Sequence, residues 1–447
     1  MKKLISLSLI AAMGLSLAAC GGNSGNNETK KTSEAAGSNV ASEAGSEASE
    51  SKGGEAGSGT TLAVGIWDEN QRAGLQEIMD DFAAESGIKA EIQVVDWANY
   101  WTQLAAGASG GELPDVFWMH SNESQRYMDN GMLMDLTDRI EKSDKIDLSK
   151  YPEDIVKLYQ LDGKQYAIPK DIDTIAVWYN KAMFDAAGVE YPKPDWTWDD
   201  FYEIAVKLTD KEKETYGLVI APDNNQAGYY NVIYDYGGYV ISDDKKTSGM
   251  DDPKTIEAMK FVDKLVKDTM PPLQLITENK EDGLLLNGKV AMALQGSWML
   301  PAYKSNDFAV ENFDIQVLPN YNGKRVSIYN GISWTAAANT TKPEEAWQLI
   351  EYMGTQEAQQ KQAELGVTMS AYENTSDAFV NSFDKFNLNA YLDMMNDMVI
   401  RPYSRDTVTW EGKFIEHMTS VWGGTEEMED ACKAIAAEMN ETLASEN

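Results

Sequence analysis

Two carboxylates separated by one residue, Asp171 and Asp173, lie in the polar segment Lys170-Asp171-Ile172-Asp173, and a pair of acids is all that glycoside hydrolysis asks of a protein. The chain holds 72 acidic residues, so some such pair is always available, and acceptor or surface roles outweigh acid–base catalysis here. Tryptophans where strands should end are more informative. Trp67 follows the first strand, Trp118 follows Pro114-Asp115-Val116-Phe117, Trp298 follows Gln295-Gly296-Ser297, and Trp334 follows Gly331-Ile332-Ser333. In α/β sheets ligands sit at the carboxyl ends of strands, where aromatic faces pack on the C–H faces of sugar rings and carboxylates or amides take the hydroxyls. That pattern suits a neutral carbohydrate. Core packing is the competing reading of any tryptophan, and it is preferred for Trp198 and Trp347, which fall on helix faces.

Other chemistries find little support. With only His120 and His417, and no HExxH, histidine-dependent triads and multi-histidine metal sites are poorly served. No CxxC, no P-loop and no GxGxxG after a strand occurs, so neither a metal nor a cofactor is expected. The two cysteines are Cys20 and Cys432, and Cys432 shares one face of the last helix with Met428, Ala431, Ile435 and Met439, as a buried hydrophobe would. Formal net charge is -34, or -36 once Lys2 and Lys3 leave with a leader, which argues against nucleic acid and anionic membrane surfaces. The acidity leaves room for a cationic ligand such as a polyamine, or for a peptide, whose affinity salt would weaken.

The elements that must position these residues are legible in part. Leu62 to Trp67 reads as a buried strand, Leu75, Ile78, Met79 and Phe82 mark a helix face ending near Gly87, and Ile88 to Val94 alternates. The body therefore opens as strand, helix, strand, the start of an α/β fold. Further on, Tyr166 to Ile168 is a short strand closed by Pro169, Thr174 to Tyr179 a strand buried on both faces, and Asn180 to Gly188 a short helix. Thr197 caps the next helix, with Asp200 as a short capping-box acid. Residues 60–447 are too many for one ordinary core and imply two lobes.

Ahead of this body, residues 1–19 form a charged start and a short apolar core, and Leu17-Ala18-Ala19-Cys20 resembles the lipobox of bacterial lipoproteins, with Cys20 acylated after cleavage. Residues 20–59 are Gly, Ser, Ala, Asn and Glu with little to bury. As a coil this tether would reach about 35 Å.

The order "DGKxYxxP, acidic residue, apolar strand, YNKxxFxxAG, Pro-rich spacer, TWDDF" from Asp162 to Phe201, together with "NGKVAMxxxGSW" from Asn287 to Trp298, resembles the family 1 extracellular solute-binding proteins. The resemblance implies a two-lobed periplasmic-binding-protein-like fold of type II, each lobe a mixed sheet flanked by helices, with the ligand cleft between them. It assigns residues 60–172 and 318–368 to the N-terminal lobe and residues 173–317 and 369–447 to the C-terminal lobe. It implies Trp67, Asp68 and Glu69 in a first cleft loop, Trp118, Asn122 and Glu123 in a second, and Asp173 at the first crossing between lobes. It adds Tyr229 and Tyr230 on the second lobe, with Trp298 and Trp410 as the foremost stacking platforms. Asp171 and Trp334 complete the expected contacts. The function implied is capture of a sugar or oligosaccharide by hinge closure, without catalysis, by a monomer that meets the permease of an ABC importer. A secreted glycoside-active enzyme and a surface adhesion lipoprotein are the rivals.

Overall fold

The computed structural model describes residues 59–446, so the leader, Cys20 and all of the tether except Gly59 lie outside the described residues. Among the described residues no helix is long and apolar enough to cross a membrane.

The first sheet has the strand order Lys89–Val94, Thr61–Ile66, Val116–Met119, Ser333–Ala336, Ile168–Pro169. Thr61–Ile66 runs parallel to both its neighbours, whereas Ser333–Ala336 runs antiparallel to Val116–Met119 and to Ile168–Pro169. Helix Glu69–Ser86 buries Leu75, Ile78, Met79 and Phe82 against it and stops at Gly87, whose φ of 74° is the left-handed cap that glycine adopts without strain. The second sheet has the order Phe313–Val317, Ile175–Asn180, Val290–Gly296, Tyr216–Val219. Ile175–Asn180 is buried at every position because it lies between two antiparallel neighbours with side chains packed on both faces. Helix Trp198–Leu208 begins with a full capping box between Thr197 and Asp200. Trp198, Trp347 and Cys432 are all core residues, and burial pushes the Cys432 thiol up to about 12.

Three segments joining the lobes lie side by side. The Lys170 and Asp173 amides donate to Ile332 O (2.8 Å) and Asn330 O (2.9 Å), and the Ile172 amide donates to Met369 O (3.1 Å). The return to the first lobe falls at 330–332, not at 318 as the sequence boundary has it. Residues 318–329 stay on the second lobe because the Asn320 amide donates to Trp196 O (2.9 Å), the Ile328 amide donates to Asn231 Oδ1 (2.8 Å), and Ser327–Tyr329 pairs with Met398–Ile400. The third segment, 368–371, touches the first through the Asp171–Ser370 bridge.

One apolar cluster fills the space between the first sheet and helices Glu69–Ser86 and Pro343–Met353. The opposite face of that sheet shares a continuous core with the second lobe through Ile155, Ile172, Ile328 and Met369. The crossing segments are thus packed on apolar ground, and their polar side chains must find partners locally.

Candidate ligand-binding site

The cleft between the lobes holds a cavity of about 470 Å³, within the range of small-ligand sites, roughly 300–1,000 Å³. Its first-lobe wall is built from strand ends: Trp67 and Asp68 follow Thr61–Ile66, Trp97 opens the helix after Lys89–Val94, and His120 follows Val116–Met119. Trp67 meets Trp97 edge-on at 5.2 Å, and Trp97 meets His120 at 5.2 Å, giving a wall of rings. Asp68 cannot swing freely, because it caps helix Glu69–Ser86, accepting from the Asn70 amide (2.9 Å) and Gln71 Nε2 (3.1 Å).

The second-lobe wall comes from the loop Ala221–Gln226, from Lys280-Glu281-Asp282, and from Gln295, Ser297 and Trp298 at the end of Val290–Gly296. Lys280 has φ 61° and ψ 169°, a conformation close to glycine-only, which breaks helix Leu273–Leu286 and turns Glu281 inward. Glu281 accepts from the Ala221 amide and Asn224 Nδ2, both at 2.7 Å, and burial pushes its carboxyl up to about 7.

The floor is a polar network on the crossing segments. Asp173 Oδ1 accepts from Gln226 Nε2 (2.7 Å) and from the Asn330 amide (3.0 Å). Burial, helped by the nearby Asp171 charge, pushes Asp173 up to about 8. His120 bridges Asn122 (2.8 Å) and Asn330 (3.1 Å), and burial with the Arg401 charge lowers it to about 3, so the ring is neutral. Arg401 pairs with Glu411 (2.7 Å) and donates to Asn225 Oδ1 (3.1 Å), all deep in the second lobe.

Of the residues expected from sequence, Trp67, Asp68, Asp171, Asp173 and Trp298 line the cleft. Asp171 does so with both oxygens engaged. Oδ2 takes the Lys170 ammonium (2.9 Å) and Oδ1 the Ile332 amide (2.8 Å), which ties the carboxylate down between the first two crossing segments. Lys170, wholly buried, also reaches Gln71 Oε1 (3.0 Å) and lies 4.7 Å over the Trp118 ring, tying the first-lobe core to the crossing.

The other expected contacts lie elsewhere. Trp118 is still within its strand, and its indole points into the first-lobe core against Trp334, which is likewise fully buried; two residues further on, past Met119, His120 takes the place at the strand end. Tyr229 and Tyr230 are buried in the first turn of helix Tyr229–Asp235, the Tyr229 hydroxyl donating to Pro222 O (3.2 Å), so the loop before them faces the cleft instead. Trp410 is fully buried beside Phe414, its indole N–H spent on Ser404 Oγ (2.9 Å), and cannot serve as a platform. Glu69 is exposed beside Arg72, and Glu123 is buried with Arg126. Asn122 sits behind His120 and reaches Glu411. Among the described residues no group of three His, Cys, Asp or Glu could hold a metal ion.

Over residues 67–360 the chain matches the model of the bacterial extracellular solute-binding proteins, and it belongs to that family. It is 26% identical over 366 residues to the galactooligosaccharide-binding protein of Bacillus subtilis, covering 79% of this chain and 76% of that one. The maltodextrin-binding protein of the same organism is 24% identical over 375 residues, covering 82% and 84%. Among solved structures, an ABC substrate-binding protein from Listeria monocytogenes in complex with cycloalternan superposes with a TM-score of 0.80 at 25% identity, over 86% of this chain and 99% of that one. The expected two-lobed α/β fold is the one such relatives share, and those relatives are binding proteins, not enzymes.

The buried Asp173 gives a pH prediction. Its folded pKa of about 8 lies above the unfolded value, about 3.9, so its contribution to stability is fully present below about pH 4 and lost as pH rises towards 8. Asp173→Asn keeps an oxygen for Gln226 and Asn330 but removes the charge. In urea titrations of ligand-free protein, the variant should match the parent near pH 4 and exceed it by at least about 1.4 kcal/mol, the value of one pKa unit, at pH 9. His120 titrates with the opposite sign in both proteins and cancels. A pH-independent difference would show that Asp173 is not the group responsible.

Proposed function

We propose that the protein is a lipid-anchored, extracytoplasmic receptor that captures a sugar or oligosaccharide between its lobes and delivers it to an ABC importer. The observation that carries this reading is the half-buried Trp298 indole lining one cavity with Trp67, Trp97 and the amides of Asn225, Gln226 and Gln295. Rings offer flat apolar faces to pyranose C–H groups while amides and carboxylates pair with hydroxyls. The galactooligosaccharide- and maltodextrin-binding relatives support the same class of solute. Residues 1–19 act as the leader, Cys20 carries the lipid, and 20–59 form the tether of a monomer that works beside its permease.

Recognition needs no covalent step. A solute touching both walls binds the closed arrangement better than the open one and shifts the population by that difference in affinity. The crossing segments, packed together by backbone hydrogen bonds, are the place where such a motion must pivot. A thermal-shift panel of neutral mono- and oligosaccharides tests the reading. A true solute at 100 times its dissociation constant adds about 2.7 kcal/mol of stability, and it should be recovered chemically intact. No shift with any saccharide would refute the assignment.

A further inference from the structure

The charges of the cleft are unbalanced. Six carboxylates line it, those of Asp68, Asp171, Asp173, Asp223, Glu281 and Asp282, against two cations, Lys280 and Arg401. Two of these groups are already neutralised from behind, Asp171 by Lys170 and Arg401 by Glu411. Among the described residues none of the other five carboxylates forms a salt bridge, and Arg401 acts on Asp173 only as a weaker opposing charge. Burial raises Asp173 and Glu281, with Asp171 adding to the rise of Asp173 against Arg401, and Asp223 and Asp282 adding to that of Glu281.

Neutral hydroxyls do not require this arrangement, because Asn70, Gln71, Asn224, Asn225, Gln226 and Gln295 already supply amide donors and acceptors along the same walls. A protonated amine does use it: an ammonium has three N–H donors, gains from each surrounding carboxylate, and is attracted to the ring faces that line the cavity. Ser297 points to a ligand independently of the acids. It is buried, it lines the cleft, and its Oγ has no hydrogen-bond partner among the described residues, a condition that a polar solute group would relieve.

We propose that the solute is an amine-bearing saccharide, its ring packed on Trp298 and its ammonium held among Asp68, Asp223 and Asp282. The proposal rests on the saccharide reading and sharpens it to a cationic subclass. Asp223 is exposed at the rim, where it would draw the cation in at low ionic strength.

Calorimetric titration of the mature body at about pH 6, where a sugar amine is protonated, tests this with four probes: a glucosamine oligomer, its N-acetylated form, the all-hydroxyl glucose oligomer of the same linkage and length, and spermidine. The glucosamine oligomer should bind at least tenfold tighter than the other two saccharides. That advantage should shrink at high salt and fall severalfold in Asp223→Asn and in Asp282→Asn. Equal or tighter binding of the hydroxyl or acetylated oligomer overturns the proposal while leaving saccharide capture standing. Binding of spermidine without any saccharide, or of no probe at all while the neutral-sugar panel is also flat, overturns both.

Discussion

Arg401→Met is expected to lower the unfolding free energy by about 3–5 kcal/mol, the usual result of stranding one member of a buried ion pair. Arg401 is 5% exposed and Glu411 4% exposed, and the guanidinium satisfies Glu411 and Asn225 together. Burial already raises the Glu411 carboxyl, and the Arg401 charge is the main influence lowering it. Without that charge Glu411 must hold a proton or remain an unpaired buried anion. The deficit should therefore be largest at high pH and shrink as pH falls and Glu411 protonates. Arg401→Met/Glu411→Leu should recover most of the loss, because removing both members leaves no stranded charge, only Asn225 short of its two partners. Thermal and urea unfolding at pH 6 and pH 9 read this directly. An Arg401→Met protein within about 1 kcal/mol of the parent at pH 9 would show that the pair contributes little.

This pair also marks the limit of what the sequence reveals. Local features were legible: the Thr197–Asp200 capping box, the glycine that ends helix Lys181–Ala187, and the wholly apolar run that became the centre of the second sheet. Each is decided by neighbours a few residues away. Arg401 is not, since its partners are Glu411 and Asn225, ten and 176 residues distant. Glu281 was hidden for a related reason, because a backbone break at Lys280 inside a helical pattern reverses the side that faces the cleft.

The strand-end rule found Trp67 and Trp298 and would also have found Trp97, which stands just past Lys89–Val94 behind its capping Asp96. It misplaced Trp118, which lies two positions short of the cleft residue His120 and, still inside the strand, spends its indole on the core. Trp410, Tyr229 and Tyr230 failed differently. They sit on helices, and sequence phase tells which side is apolar but not whether that side meets a core or a cleft.

Trp298→Ala should weaken saccharide binding tenfold to a hundredfold, since losing the contact of one large ring face is worth about 1.5–3 kcal/mol and each 1.4 kcal/mol is a factor of ten. Stability should change little, because the indole is only half-buried. Gly296 makes a sharper test of the same platform. A Cβ placed there would lie 1.9 Å from the Trp298 ring, so the bare glycine backbone is the surface on which the indole rests. Gly296→Ala must push the ring out of its seat, and it should mimic Trp298→Ala in binding while costing about 1–3 kcal/mol of stability from overpacking. Titration well below the unfolding transition separates the two effects. If Gly296 acts only through the indole, adding Gly296→Ala to Trp298→Ala costs no further affinity, which a double-mutant cycle measures. Full affinity in Trp298→Ala would remove the indole from the binding surface, and additive losses in the double variant would mean that Gly296 serves the cleft by another route, such as close approach of its backbone to the solute.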